Sequence, residues 1–240
     1  MKGSERHRLK ENELSHVLGD ASARFQENRS TYGLALGILA LVLVAGIGYW
    51  AWTTRSENRA QALLGDAIVI MQAPVEDAKP GAKPGVSSYP TVQARAEAAL
   101  AKFRDVYTAY PSTEAGIAAR YYAASALGML GRHEEAASRF REVADHAGTN
   151  SFYGRMAQLG VVESTAQAKK YDEAISAAQA LVNNTSDDTI PRDALLMELG
   201  RVQVAAGKKT EAKQTLDKVI ADFPDSPYVE EAKRMLAELT

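Results

Sequence analysis

The chain has 240 residues, no cysteine and a formal net charge of −2. Nucleic-acid binding needs a Lys/Arg footprint, and no such stripe exists, so nucleic acid is not the expected partner. The missing cysteines exclude a disulfide framework, a thiolate zinc site, a thiol nucleophile and a lipidated cysteine. They leave the compartment open.

Residues 1–31 form a polar arm with six Lys/Arg and five Asp/Glu. Leu14, Val17, Leu18, Ala21 and Phe25 fall at helical spacing. The arm therefore reads either as a solvated tail or as a short amphipathic helix that meets a partner or a membrane interface.

Residues 32–53 are the expected anchor. Gly33 to Trp52, GLALGILALVLVAGIGYWAW, is 20 residues without a charge. At ~1.5 Å per residue such a helix spans ~30 Å, the thickness of a bilayer's hydrocarbon core. The run exceeds the ~7–15 apolar residues of a signal peptide. It is followed by Tyr49, Trp50, Trp52 and Arg55 rather than by a small-residue cleavage site, and Ala60-Gln61-Ala62 lies well beyond it. The expectation is an uncleaved span with interfacial aromatics, Tyr32 at one end and Tyr49, Trp50 and Trp52 at the other. Gly33 and Gly37 make one GxxxG, which reads as ordinary membrane-helix composition. Near the span the basic residues balance, Arg24 and Arg29 against Arg55 and Arg59. Lys2, Arg6, Arg8 and Lys10 then tip the arm towards the cytoplasm and the body towards export.

Residues 54–72 read as a connecting helix, with Ala60, Leu64, Ala67, Ile68 and Met71 on one face. Residues 73–90 hold four prolines and two glycines and read as a loop or hinge. From residue 91 to 240 the pattern is helical and Ala-rich. The decisive feature is a 38-residue repeat: GRHEEAASRF (131–140), KKYDEAISAA (169–178) and GKKTEAKQTL (207–216). Ala136, Ala174 and Ala212 coincide, as do Val143, Leu181 and Val219. Upstream, Ala124, Val162 and Gly200 coincide where two helices must approach closely. Gly131 and Gly207 suit left-handed helix ends, whereas Lys169 in the middle copy predicts a less regular turn. Tyr110-Pro111 and Phe223-Pro224 each close a helix, and Thr113 and Ser226 are expected to cap the next. Ala94–Tyr110 is then the second helix of a degenerate first repeat, and about Pro227 to Leu239 is a terminal cap.

These residues resemble the tetratricopeptide repeat. Gly200, Gly207 and Ala212, with Pro224 at the closing position, match its small–loop–small signature, although the period exceeds the usual ~34 residues. The resemblance implies an all-α fold: one N-terminal transmembrane helix followed by a tetratricopeptide-repeat α-solenoid. It also implies that the first helices of successive pairs line a concave binding face. On that face the alignment places Tyr121, Leu159 and Met197, and one turn later Ser125, Glu163 and Arg201. The first set reads either as an apolar ladder for a segment of another protein or as packing between neighbouring helices. The second set lacks the Lys/Asn pattern of repeats that clamp a C-terminal carboxylate.

The layout as a whole, FQENRSTYGLALGILALVLVAGIGYWAW and then this array, resembles the bacterial ancillary subunit of the SecYEG translocon. That resemblance implies a single-pass inner-membrane protein with a cytoplasmic N-terminus and a periplasmic body. Its implied partners are translocon subunits, a periplasmic chaperone and exported clients. An envelope-assembly or cell-division scaffold, and a cytosolic adaptor of inverted topology, stay open beside it. His7, His16, His133 and His146 form no metal-ligand spacing. No nucleophile motif, Walker loop or Rossmann pattern occurs, and Glu134–Glu135 and Asp187–Asp188 read as turn or solvated-face residues. No enzyme activity, cofactor, metal or small-molecule substrate is expected.

Overall fold

The structure is a computed structural model that describes residues 29–75, 88–148, 151–184 and 189–239. Among them lie nine helices: α1 (Arg29–Gln72), α2 (Val92–Ala109), α3 (Glu114–Met129), α4 (His133–Ala147), α5 (Phe152–Gln167), α6 (Tyr171–Asn183), α7 (Arg192–Ala205), α8 (Lys209–Asp222) and α9 (Val229–Glu238). The fold is an all-α solenoid with one N-terminal helix that is long and apolar enough to cross a membrane. The possible amphipathic helix of the arm and the middle of the Pro/Gly loop lie outside the described residues.

The chain divides into two units, Met1–Arg55 and Ser56–Thr240. In the first unit, Leu34, Leu36, Ile38, Leu39, Leu41, Val42, Leu43, Val44 and Ile47 are all exposed, and no charge interrupts them. A helix that is apolar all round and uncovered is unsuited to water and suited to lipid. Tyr49, Trp50 and Trp52 are exposed at its end, and the Tyr49 and Trp52 rings lie 6.3 Å apart. Tyr32 belongs to the helix, but its side chain lies outside the described residues.

The second unit is built on the 38-residue repeat. Each helix pair (α3–α4, α5–α6, α7–α8) turns through the same three residues. Gly131, Lys169 and Gly207 have φ of 73°, 61° and 71°. The residues that follow, Arg132, Lys170 and Lys208, have ψ of 57°, 62° and 68°. The backbone hydrogen bonds repeat as well: Arg132 N to Leu127 O at 3.0 Å, Lys170 N to Thr165 O at 3.1 Å and Lys208 N to Gln203 O at 2.9 Å. The expected irregularity at Lys169 is therefore absent. The lysine adopts the left-handed conformation because the rest of the turn is held by the same bonds, and its side chain extends into water. Charge knits the turns together. The lysine that opens one second helix reaches the acid at the start of the one before, Lys170 to Glu134 at 2.8 Å and Lys208 to Asp172 at 2.7 Å.

Small residues let the paired helices cross. Ala136, Ala174 and Ala212 have no exposed surface, nor do Val143, Val219, Ala124 and Val162. At Gly200 an added Cβ would lie 2.8 Å from Leu216, so even an alanine would force that leucine to move. The last core cluster runs without a break from Val162 through Leu181, Met197 and Leu216 to Leu239. A single pair could not enclose such a core; stacked pairs share it.

The first pair is completed by α1. Ala60 and Ala67 are fully buried. Leu64, Ile68 and Met71 pack with Phe103, Val106, Ala119 and Ala123. The last turns of α1 thus occupy the place of the first helix beside α2. Glu57 adds a tie: its two carboxylate oxygens accept from the Glu114 and Ala115 amides at 2.9 and 3.0 Å. These are unpaired N–H groups at the positive end of α3. Thr113 caps the same helix, accepting from Gly116 N at 3.0 Å. Ser226 does not cap α9, which begins after Tyr228. The Ser226 hydroxyl instead donates to Asp193 at 2.6 Å and accepts from Tyr228 N. Around the Pro/Gly loop, Val75 and Tyr89 form an isolated bridge, and the Arg95 guanidinium donates to Ala73 O at 2.8 Å.

The left-handed lysine gives a direct check on the turn. An L-residue there costs about 1–2 kcal/mol, against about 0.5–1 kcal/mol of extra chain entropy for glycine. Lys169→Gly should therefore stabilise the protein by about 0.5–1 kcal/mol, raising the melting temperature by a few degrees in circular dichroism. Gly207→Lys should lower it by a similar amount.

Candidate functional site

The first helices α3 and α5 pack side by side, and α7 joins them around one surface. Their exposed faces enclose a groove of about 690 Å³. Tyr121 and Ser125 of α3, Leu159 and Glu163 of α5 and Arg201 of α7 all line it. These are five of the six groove residues expected from the repeat register.

The walls are largely apolar. Tyr121 stands at the centre of an aromatic cluster, with ring centroids 5.4 Å from Phe140, 5.5 Å from Tyr122 and 5.9 Å from Tyr153. Such tilted and edge-on arrangements suit the ring quadrupoles. Burial raises the Tyr121 hydroxyl above the ordinary phenol value, and the Glu163 charge raises it further. Met156, Leu159 and Val202 continue the surface towards α7.

Met197 is the sixth expected residue, and it is not on the surface. Its side chain is fully buried in the core cluster that also holds Leu196, Leu216 and Ala232. Glu198 lines the groove instead. The signal for this was present: Glu198 and Arg201 are an i,i+3 pair of opposite charge, which share one helix face. Phe140 and His133 of α4 also reach the groove, and first-helix periodicity alone does not show them.

Electrostatics concentrate at the α5–α7 end. Arg201 donates to both oxygens of Glu231, at 3.0 and 2.9 Å, and to Glu198 at 3.2 Å. Its guanidinium also lies 5.8 Å from the Tyr228 ring. Glu163 makes no hydrogen bond or ion pair among the described residues. Its outer edge is in water, but its carboxyl is raised above the ordinary glutamate value. Desolvation between the groove walls is the larger cause and the Glu198 charge the second, with Arg201 opposing both.

The residues read as packing positions lie inside. Ala124, Ala136, Val162, Ala174, Gly200 and Ala212 are buried, while Gly131 and Gly207 are the left-handed turn residues. Among the described residues no group of three or more His, Asp or Glu is placed to hold a metal ion. His146 contacts the Glu142 carbonyl at 3.1 Å, and Glu134 and Glu135 are engaged with Lys170 and Arg132. Asp187 and Asp188 lie outside the described residues.

Comparison with known proteins agrees with this architecture. Residues 165–236 match the tetratricopeptide repeat family model. Two crystal structures of the nearly identical TPR-like repeats of a protein described as a kinesin light chain from Podosopora anserina superpose with a TM-score of 0.56. They are 16% and 18% identical in sequence, cover 75% of this chain, and are themselves covered to 85% and 84%. At that identity the likeness is one of fold. No curated protein matches the sequence. The body therefore has the fold of stacked tetratricopeptide-type helix pairs, and residues 165–236 carry that family's sequence pattern.

The raised Glu163 gives a pH signature. A carboxyl held above its unfolded value binds its proton more tightly in the folded protein. It therefore costs stability above the folded value, and that cost disappears as pH falls below the unfolded value of about 4.3. Glu163→Gln should raise the melting temperature at pH 7 to 8, with the gain vanishing by about pH 4. Water on the open side limits the gain to less than about 1 kcal/mol. Melting curves of both proteins across that range measure it.

Proposed function

We propose that this protein is a membrane-tethered interaction module that assists the export or folding of secreted proteins at a bacterial inner membrane. In this reading residues 1–31 are a cytoplasmic arm, 32–53 the uncleaved anchor and 54–72 a connecting helix. Residues 73–90 are a loop, and the repeat domain of 91–240 stands in the periplasm. The partners are exported clients, with translocon subunits and a periplasmic chaperone beside them.

The observation that carries the reading is the groove. Its apolar, aromatic-walled surface is spread over three successive helices, which suits a protein segment better than a compact small molecule. Its acidic lining disfavours nucleic acid. The uncharged helical run preceding the body supplies the tether. Tethering would raise the groove's effective concentration at the membrane without any new contact. Choice of the translocon rests on the resemblance of the whole layout, and choice of the periplasm on that resemblance and on the basic arm. No chemical step is required.

Photo-crosslinking tests this in cells. A crosslinker at Tyr121 or Leu159 should capture exported proteins, periplasmic chaperones or translocon subunits. The same crosslinker at Met197, which is buried, should capture none. Capture of cytosolic proteins alone would overturn the proposal.

A further inference from the structure

The groove carries a charge imbalance that its own residues do not correct. Glu163, Glu198 and Glu231 gather at the α5–α7 end around the Arg201 guanidinium. Glu231 takes two of the arginine's donors and Glu198 a third. Glu163 receives none, and it stands exposed in the groove lining. The apolar surface of Tyr121, Phe140, Met156 and Leu159 continues the lining, which among the described residues holds no lysine and no arginine besides the engaged Arg201; His133 comes from α4. A partly desolvated carboxylate is stabilised most by a counter-charge that arrives with its own apolar flanks, because the occupant that excludes water also strengthens the pair.

We propose that the groove takes a segment of another protein presenting a lysine or arginine between apolar side chains. The cation lies against Glu163 and Glu198, and the flanking side chains lie on Tyr121 and Leu159. This rests on the groove being the docking surface, and it adds which chemistry docks there. Acidic segments are excluded by the same carboxylates. The three helices span about 16–20 Å at ordinary helix spacing, room for about five or six extended residues.

The test uses the full chain in detergent, immobilised and panned against a display library of randomised dodecapeptides. Glu163→Gln and Glu198→Gln remove the charges, and Leu159→Asp blocks the groove. Circular dichroism confirms that each variant is folded. The expected result is about tenfold enrichment of lysine or arginine at one position flanked by apolar residues, the magnitude of a partly desolvated ion pair. That enrichment should be lost with Glu163→Gln or Glu198→Gln, and all peptides should be lost with Leu159→Asp. Enriched peptides that Leu159→Asp abolishes but that show no basic preference would overturn the charge assignment and leave the groove standing. A basic preference that survives both glutamine substitutions would overturn it too. Peptides retained equally by Leu159→Asp, or no enrichment at all, would overturn the groove reading itself.

Discussion

The second unit depends on how closely its paired helices can cross. Ala136, Ala174 and Ala212 are wholly buried at matching places in successive pairs, as are Ala124 and Val162. The approach at Gly200 leaves no room for a methyl group beside Leu216. Close crossing brings Val143, Leu181 and Val219 into the interior and fixes the distance between one pair and the next. The left-handed residue at 131, 169 and 207 follows from that constraint, since the chain must reverse within three residues. The last copy is closed by α9, whose Glu231 grips Arg201 of α7. The first is completed by the end of α1, with Glu57 capping α3.

That spacing also makes the groove. First helices held at a regular interval expose one strip each, and the strips join. Tyr121, Leu159 and Arg201 come from helices a repeat apart, yet they share one surface because the turns between them are superposable. The groove's two carboxylates, Glu163 and Glu198, come from different helices, so its acidic character arises from stacking and not from any local run of charge. An uncharged helical stretch before this unit and an open, largely apolar groove within it are the two features on which the proposed tethered binding role rests.

The repeat, its period and the small residues at the crossings were legible in the sequence because each is a local choice reproduced 38 residues later. The same register is why Tyr121, Ser125, Leu159, Glu163 and Arg201, read as candidates from the sequence, come to one surface. Met197 does not: its place in the period is that of Tyr121 and Leu159, yet its side chain lies wholly within the shared core. Lys169 misled in the opposite direction: residue type argued for an irregular turn, and the shared hydrogen bonds of the pair overrode it. Glu57 at the end of α3 depends on a contact 57 residues away, and no spacing rule reaches that far. Ser226 has a capping residue's chemistry, but its hydroxyl is engaged by Asp193, and the helix starts three residues later, at Val229.

The proposed role is that of a binding array held at the outer face of a membrane by its own N-terminal helix. A topology measurement on the full chain tests it most directly. A reporter enzyme that is active only in the periplasm, fused after Thr240, should be active, and the fusion should stay in the membrane fraction through alkaline carbonate extraction. Activity of a cytoplasm-only reporter at the same position, or release of the fusion into the soluble fraction, would contradict it.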